Sequence, residues 1–298
     1  MDFRLKVFNS VARNLSFTKA SKELFISQPA ISKHIRELES QYETPLFERS
    51  GNQVRLTRAG ELLFSHTERL AEAYRQMDFE MNLLTNHLTG ELRLGASTTI
   101  AQYVLPPMLS SFIRTFPDIQ VSLRNGNSRE IERLLGEREI TLGLVEGNSR
   151  QSGLRYIPFM KDELVVVTHT GSRYATYDEV SLDQLRQWPL VLRENGSGTL
   201  EVLEAALSEH HVKLSQMNIL IQLGSTESIK LFLGNMDAVA IVSIRAVTNE
   251  LKSGLLKVID IKDVNIERIF SFVMPAGQYG GLEENFIHYA ERSGWSMS

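Results

Sequence analysis

The sequence predicts an α/β protein in which a small, mostly helical domain precedes a larger body of alternating strands and helices. Its 298 residues exceed the usual size of a single hydrophobic core, so more than one domain is expected. Apolar residues recur at helical spacing up to about residue 57 and continue as one long helical repeat over residues 58–89. From residue 90 onward, short apolar runs typical of strands alternate with helical segments. These changes of pattern predict three segments, residues 1–57, 58–89 and 90–298.

The composition is that of an ordinary globular protein, with 42% hydrophobic and 23% charged residues. No uncharged apolar stretch approaches the roughly 20 residues that a membrane helix needs, and the first residues lack the apolar segment of a secretion signal. The sequence contains no cysteine, which excludes disulfides, thiolate metal ligands and cysteine nucleophiles. We therefore expect a cytoplasmic protein without a membrane partner.

Charge is unevenly distributed along the chain. Residues 1–60 contain ten Lys or Arg and six Asp or Glu, a net charge of +4. The remaining residues, with 22 basic and 30 acidic side chains, carry −8. A basic segment joined to an acidic body is typical of a polyanion-binding module attached to a domain of another kind. Many solvated helices are also locally basic, so charge alone does not distinguish a polyanion-binding module from an ordinary helical surface.

Three helices are predicted in the first segment. The first spans residues 3–13, where the apolar residues keep helical spacing. Ser16 can cap the second helix and Ser27 the third, because a serine hydroxyl accepts a hydrogen bond from the free N–H groups of a first turn. The same free N–H groups can hold a phosphate. The residues of the third helix that should face the core are Ile31, Ile35 and Leu38.

The other face of the third helix is polar and basic. At about 100° per residue, Gln28, Ser32 and Arg36 share one stripe. Pro29 and Lys33 lie beside it. Two short helices joined by a tight turn, the second with such a face, form a helix-turn-helix. A glutamine amide can pair with adenine in the major groove, and lysine or arginine can reach guanine or phosphate. The alternative is a solvated helix face in a small bundle.

A β-hairpin is predicted after the third helix. Residues 46–56 alternate in polarity around a Ser50-Gly51-Asn52 turn. Arg49 and Arg55 can project from this wing toward the DNA backbone or minor groove. Thr57 then caps another helix.

These segments resemble the N-terminal domain of LysR-type transcriptional regulators. The resemblance covers about a fifth of the chain, in the same order and spacing, and it rests on two runs of residues. One includes Ser27-Gln28-Pro29-Ala30-Ile31-Ser32, and the other joins Pro45-Leu46-Phe47-Glu48-Arg49 to Leu56-Thr57-Arg58-Ala59-Gly60. The resemblance implies a winged helix-turn-helix that binds double-stranded operator DNA. The predicted DNA contacts are Thr18, Lys19, Ser27, Gln28, Pro29, Ser32, Lys33, Arg36, Arg49 and Arg55.

A heptad repeat runs through the segment 58–89. From residue 58 to 88 there is no proline, and the only glycine is Gly60. Apolar positions alternate in steps of four and three, which predicts a helix that pairs with a second helix rather than one packed on its own domain. In the LysR family this linker helix dimerises, which implies a homodimer, or a tetramer of two dimers, with DNA half-sites about one helical turn or a multiple apart. The seam contains Thr67, and its predicted dimer contacts are Leu63, Leu70, Tyr74, Met77, Met81, Leu84 and Leu88.

The body after residue 90 begins with a βαβαβ order, which implies a parallel sheet with helices on its faces. Its first helix is predicted over residues 97–112, with an interruption at Pro106-Pro107. A second series of strands and helices follows from residue 163 to residue 242.

Several predicted strands run into glycine and Ser or Thr residues that start a helix. Such junctions place free N–H groups and hydroxyls at the carboxyl edge of a sheet, where anions bind. One junction alone is only a good helix cap, whereas four from both halves favour a cleft between two subdomains. The four are Gly95-Ala96-Ser97-Thr98, Gly126-Asn127-Ser128, Gly196-Ser197-Gly198-Thr199 and Gly224-Ser225-Thr226.

The body also resembles the effector domain of LysR regulators, which is similar in fold to periplasmic solute-binding proteins. The resemblance implies a first lobe of residues 90–161 and 267–298 and a second lobe of residues 162–266. The chain would return to the first lobe near residues 268–274 and end in a helix, residues 283–293, on that lobe. Arg193 could add positive charge to the cleft or pair with Glu194. We expect a small anionic metabolite of unknown identity as effector, and no cofactor or metal. The effector contacts that the resemblance implies are Ser97, Thr98, Asn127, Glu146, Ser197, Gly198, Thr199, Thr226 and Ser243.

Two other classes of function are weighed against this one. A metabolite-binding protein of transport or storage would show no salt-dependent DNA binding. An α/β enzyme would need catalytic residues, but the sequence lacks the P-loop spacing, the G-x-S-x-G elbow and the H-E-x-x-H motif. The sequence therefore predicts a ligand-responsive transcription regulator, not an enzyme, with RNA polymerase as a further partner.

Overall fold

The computed structural model describes residues 2–50, 53–85, 88–148, 150–276 and 281–295. The chain divides into two compact units, residues 1–86 and 87–298. The linker helix thus clusters with the N-terminal domain. Within the described ranges, no helix is long and apolar enough to cross a membrane.

The N-terminal unit consists of three short helices, a hairpin and one long helix. As predicted, the Ser16 hydroxyl accepts a hydrogen bond from the Lys19 N–H, and the Ser27 hydroxyl accepts one from the Ala30 N–H. Strands β1 and β2 pair antiparallel, which confirms the hairpin. The elements are α1 (Phe3–Asn14), α2 (Phe17–Glu23), α3 (Gln28–Gln41), β1 (Phe47–Ser50), β2 (Gln53–Leu56) and α4 (Arg58–Thr85).

The core of this unit fixes the orientation of α3. Ile31, Ile35 and Leu38 are at most 3% exposed, as their spacing predicts. The Phe47 ring of the hairpin lies 5.3 Å from the Phe8 ring, so the wing is anchored on α1. Each buried side chain of this size contributes about 1.5–3 kcal/mol. With one face of α3 held in the core, its polar face is turned outward.

The long helix α4 corrects the predicted dimer seam at both ends. Leu63 packs on the core of the N-terminal unit. Thr67 is fully buried and accepts a hydrogen bond from the Asn9 amide at 3.1 Å. The helix ends at Thr85, and Leu88 beyond it is only 7% exposed. The first turns of α4 are therefore used to complete their own domain.

The middle of the seam keeps the predicted exposure. Four side chains of α4 are between 44% and 55% exposed, which is unusual for large apolar groups on one helix. The side chain of Leu84 lies outside the described residues. The four exposed positions are Leu70, Tyr74, Met77 and Met81.

The C-terminal unit is built around one sheet. Its order is β4-β3-β5-β12-β6-β10-β8-β9 in the described residues, and β11 pairs with both β6 and β7. The elements are β3 (Gly90–Ser97), α5 (Leu105–Thr115), β4 (Ile119–Gly126), α6 (Ser128–Gly136), β5 (Leu142–Val145), β6 (Leu154–His169), β7 (Glu179–Val180), α7 (Leu182–Leu185), β8 (Leu190–Arg193), α8 (Gly198–Glu209), β9 (Ile219–Leu223), α9 (Thr226–Leu233), β10 (Val239–Ser243), α10 (Ile244–Lys252), β11 (Leu256–Ile261), β12 (Ile266–Pro275) and α11 (Leu282–Ala290).

The sheet has two parallel groups of three strands, which correspond to the two predicted lobes. In the first lobe β3 pairs parallel with β4 and β5, and in the second β8 pairs parallel with β9 and β10. The long strands β6 and β12 pair antiparallel and join the two groups. The predicted return of the chain through residues 268–274 is part of this pair.

The first helix of the body is confirmed, with an irregularity at its two prolines. Ser97 is the last residue of β3, and the chain is helical from residue 98 to residue 115. A π-helical turn, Ile100–Val104, runs directly into α5, whose first turn contains Pro106 and Pro107. Because a proline has no N–H to donate, it disturbs the regular hydrogen-bond ladder, and the helix changes type at this point.

The final helix α11 packs on the first lobe, as predicted. The Phe286 ring lies 5.0 Å from the Phe112 ring of α5, and the Tyr289 ring lies 5.2 Å from it. Edge-to-face aromatic pairs of this kind hold the last element to the lobe that begins the unit.

Candidate functional site

The outward face of α3 carries most of the predicted DNA contacts. Its side chains at positions 28, 29, 33 and 36 are exposed, and Ser32 is partly exposed. Thr18 and Lys19, in the first turn of α2, are exposed. Ser27 before α3 and Arg55 on β2 are exposed as well. The backbone of Arg49 belongs to β1, but its side chain lies outside the described residues. This surface combines hydroxyl, amide and basic groups around a helix N-terminus.

Two basic side chains of this surface, Lys33 and Arg36, are only weakly engaged within the protein. Lys33 Nζ lies 3.9 Å from Glu37, and its side chain is 73% exposed. Arg36 Nε donates to the carbonyl of Ser32 in its own helix at 3.2 Å. Exposed contacts of this kind are worth at most about 1 kcal/mol. Both cations can therefore be transferred to a phosphate or base at little cost.

A second cluster of polar groups lies at the carboxyl ends of strands in the C-terminal unit. Arg193 ends β8 in the second lobe, and its side chain is 1% exposed. Its Nη2 donates to Thr98 Oγ1 of the first lobe at 3.3 Å and to the carbonyl of Gly224 at 3.4 Å. The guanidinium thus contacts residues of two of the four predicted junctions and belongs to the strand that precedes a third.

The pairing of Arg193 with Glu194 is also observed. Arg193 Nε lies 2.9 Å from one carboxylate oxygen of Glu194, and Nη2 lies 3.1 Å from the other. The two sequence interpretations of Arg193 are therefore compatible, because it reaches the cleft residues and its acidic neighbour together.

Three buried donors of this cluster have no hydrogen-bond partner among the described residues. They are Arg193 Nη1, the hydroxyl of Ser97 and the hydroxyl of Thr99. An unsatisfied buried donor costs about 1–3 kcal/mol. The surroundings of Arg193 are accordingly suited to a group that accepts several hydrogen bonds.

Another part of the predicted cleft is a buried ionic network. Arg268 of β12 is fully buried, and its Nε donates to Asp162 at 2.7 Å. Its Nη1 donates to Thr199 Oγ1 at 2.9 Å, and its Nη2 lies 3.3 Å from Glu146. Ser243 donates to Asp162 at 2.7 Å. Of the predicted effector contacts, Glu146 and Thr199 therefore lie against the buried Arg268, and Ser243 lies against its partner Asp162; their contact with an effector stays a prediction.

Sequence reasoning missed Arg268 and Asp162 as members of this site. The two residues face each other in the register of β6 and β12, 106 residues apart in sequence. Nothing in either local sequence indicates this pairing, because strand register depends on the whole sheet. Charge alone gives no signal either, because both strands contain other charged residues, such as Glu267 in β12 and Lys161 in β6.

The loop between β8 and α8 touches the first lobe closely. A side chain at Gly198 would place its Cβ 2.7 Å from both Glu146 Cγ and the Gly147 backbone nitrogen, so only glycine fits. The Arg129 N–H donates to the carbonyl of Gly196 at 3.3 Å. Glycine at position 198 therefore permits the close approach of the two lobes.

The remaining predicted contacts also lie at these junctions. The side-chain oxygen of Asn127 caps α6 by accepting a hydrogen bond from the Glu130 N–H, and its side-chain amide nitrogen donates to Glu194 at 3.4 Å. The Ser197 hydroxyl caps α8 by accepting a hydrogen bond from the Thr199 N–H. Thr226 is 2% exposed in the first turn of α9. The helix-capping role predicted as the alternative therefore applies at Asn127 and Ser197.

A further contact joins the lobes at the start of α9. The Tyr103 hydroxyl donates to Glu227, which also pairs with Lys230 at 2.7 Å. Burial and this hydrogen bond raise the pKa of Tyr103. Burial alone would raise the pKa of Glu227, but the hydrogen bonds from Lys230 and Tyr103 outweigh it and lower that pKa. The carboxylate form is thus favoured at this contact.

The chain matches two family models, and together they cover nearly its whole length. The model of the LysR substrate binding domain matches residues 85–292. The model of the bacterial regulatory helix-turn-helix protein, lysR family, matches residues 3–61.

Named relatives match along most of the chain. The HTH-type transcriptional regulator CysL of Bacillus subtilis is 29% identical over 269 residues, which cover 90% of this chain and 89% of CysL. A probable RuBisCO transcriptional regulator of Synechocystis sp. is 28% identical over 279 residues, 93% of this chain and 81% of that protein. Among solved structures, the Synechocystis CcmR regulatory domain in complex with 2-PG has a TM-score of 0.62 and 27% identity. The match covers 69% of this chain and 97% of the CcmR domain.

Proposed function

Because the chain belongs to the LysR family of transcription regulators, we propose that its effector is a small anion held at Arg193 between the two lobes of the C-terminal unit. Regulators of this family bind operator DNA, respond to small-molecule effectors and form oligomers.

One observation carries the proposal: a buried arginine at the junction of the lobes retains an unsatisfied N–H group. Arg193 Nη1 has no acceptor among the described residues, and neither have the buried hydroxyls of Ser97 and Thr99, the two neighbours in sequence of its contact Thr98. An oxyanion supplies the acceptors that this arginine lacks, and charge-assisted hydrogen bonds to it are the strong kind. The CcmR regulatory domain, which is similar to the C-terminal unit, was solved in complex with 2-PG, so this compound is a reasonable probe.

Replacing Arg193 with glutamine should abolish anion binding, because no other described cation of this cluster can take its place. The measurement is a thermal-shift titration of the full chain with sulfate, phosphate and 2-PG. At 100 times its dissociation constant, a ligand should stabilise the wild-type protein by about 2.7 kcal/mol. The matched control is Arg124→Gln, since Arg124 is an exposed arginine paired with Glu139 on the first lobe. A shift that survives in Arg193→Gln would contradict the assignment of this site.

Replacing two residues on α3 should separate base recognition from phosphate binding. Gln28→Ala should cost about 1–3 kcal/mol of DNA-binding free energy and relax the base preference at one position of the site. Lys33→Ala should weaken binding to all DNA sequences alike, and it should reduce by about one the slope of log affinity against log salt concentration. Fluorescence anisotropy would be measured over a range of salt concentrations, on DNA fragments selected by the wild-type protein from genomic DNA. Lys252→Ala on α10 is the control. Binding that is weak and independent of salt in the wild-type protein would favour the transport or storage function instead.

We further propose how the two units act together. The exposed seam at Leu70, Tyr74, Met77 and Met81 pairs with a second copy, which places two DNA-binding domains on one operator. Effector binding acts by differential affinity for two assembly states, and the change reaches RNA polymerase at the promoter. This activity belongs in the cytoplasm, where operator DNA, polymerase and metabolite meet.

A further inference from the structure

We infer that Glu194 holds the place on Arg193 that an oxyanion of the effector takes, so that effector and Glu194 compete for the same guanidinium. This inference rests on the proposed function, because it concerns the same arginine. Glu194 is then the residue that determines both the affinity and the selectivity of the site for anions.

The geometry of the Arg193–Glu194 pair is that of a bound carboxylate. The two carboxylate oxygens face Nε and Nη2 of Arg193 at 2.9 and 3.1 Å. This two-point arrangement is the one by which arginine recognises the carboxylate or phosphate of a ligand. Glu194 therefore shows which group fits this side of the guanidinium: a planar pair of anionic oxygens.

The two partners differ in their freedom to leave the pair. The Arg193 side chain is 1% exposed, whereas that of Glu194 is 28% exposed. A buried guanidinium needs a compensating anion, because an unpaired buried charge is very costly. Glu194 can instead turn toward water and keep its charge solvated. The exchange is thus one in which Arg193 stays and the carboxylate is replaced.

The exchange also reaches the first lobe. The Asn127 amide at the cap of α6 donates to Glu194 Oε1 at 3.4 Å. When an effector displaces Glu194, this contact between the lobes is lost, and the contact of Arg193 with Thr98 can remain. The competition is therefore coupled to how the two lobes meet.

The ligand class follows from these contacts. The effector needs two oxygens in the plane of the Arg193 fork, and a third acceptor can satisfy Nη1, which has no partner among the described residues. An organic acid that carries a second acceptor group meets both conditions. A halide, which has no pair of oxygens, does not replace Glu194.

The test compares anion binding to the full chain and to Glu194→Gln by isothermal titration calorimetry. Sulfate, phosphate and 2-PG are the oxyanion probes, and chloride is the probe without oxygens. Removing the internal competitor should tighten oxyanion binding about tenfold, since apparent affinity scales with the fraction of protein in the binding-competent state. Chloride affinity should rise less than oxyanion affinity, because a single ion cannot occupy both points of the Arg193 fork. The matched control is Glu204→Gln on α8, which removes the same charge from an exposed position of the same lobe.

Glu194→Asp provides a second variant that keeps the charge. Aspartate is one methylene shorter and cannot reach both nitrogens of Arg193, so it should also tighten oxyanion binding. If the wild-type protein binds a probe through Arg193 but both variants bind it equally or more weakly, the inference is overturned and the proposed function stands. If no oxyanion binds the wild-type protein or either variant, the Arg193 site itself is wrong.

Discussion

Replacing Arg268 with methionine should lower the free energy of unfolding of the C-terminal unit by about 3–5 kcal/mol. Methionine keeps much of the volume of the side chain but removes its charge. Glu146 and Asp162, whose side chains are at most 1% exposed, would then remain as carboxylates without their buried cation. The hydrogen bond to Thr199 Oγ1 would be lost as well. Equilibrium unfolding in urea, followed by circular dichroism on the full chain, measures the loss.

The matched control is Arg245→Met. Arg245 also contacts Asp162, at 3.7 Å, but its side chain is 39% exposed, and solvent screens the pair. Its loss should cost less than about 1 kcal/mol. Adding Asp162→Asn and Glu146→Gln to Arg268→Met should recover part of the stability, because the uncompensated charges are removed. Equal small losses for the two arginine variants would show that the buried network does not stabilise the unit.

Replacing Gly60 with alanine should destabilise the N-terminal unit by about 3 kcal/mol, the upper end of the range for overpacking. The added Cβ would lie 2.1 Å from the carbonyl oxygen of Leu46 and 3.0 Å from a methyl group of Leu56. The Leu46 carbonyl is backbone, and it already accepts a hydrogen bond from the Thr57 N–H. The start of α4 must therefore move away from the hairpin, and operator affinity should fall with stability.

Gly136→Ala is the control for the helix preference of alanine. Gly136 ends α6, and nothing lies within 4 Å of an added Cβ there. Alanine at an open helical position is favoured by up to about 1 kcal/mol over glycine, so this variant should be as stable as the wild-type protein or more so. Unfolding would be followed in both variants together with binding to selected DNA. If Gly60→Ala left both properties unchanged, the close contact with Leu46 would be contradicted.

The N-terminal domain could be predicted almost entirely from local signals. Ser16 and Ser27 start α2 and α3 through hydrogen bonds that span three residues, and such contacts depend little on the rest of the chain. The core face of α3 follows from spacing alone. The linker was less predictable, because heptad spacing is the same where α4 packs on its own domain, at Leu63, and where it is exposed, from Leu70.

The effector cleft was only partly predictable. Arg193 was recognised as a cleft residue or as a partner of Glu194, and both contacts are present. The family resemblance implies Glu146, Thr199 and Ser243 as effector contacts, and the structure adds that each of them bonds to Arg268 or Asp162. Position at a strand end indicates where a side chain lies, but its partner depends on residues brought in from elsewhere.

The sequence by itself determined the family, the order of the elements and the polar face of α3, because motifs, caps and periodicity are properties of neighbouring residues. Only the tertiary structure decided which polar side chains of the C-terminal unit are hydrogen-bonded to other protein groups and which retain unsatisfied donors. The pairing of Arg268 with Asp162 joins positions 106 residues apart. Such a contact depends on the register of two strands, and register is set by the packing of the whole sheet rather than by either strand.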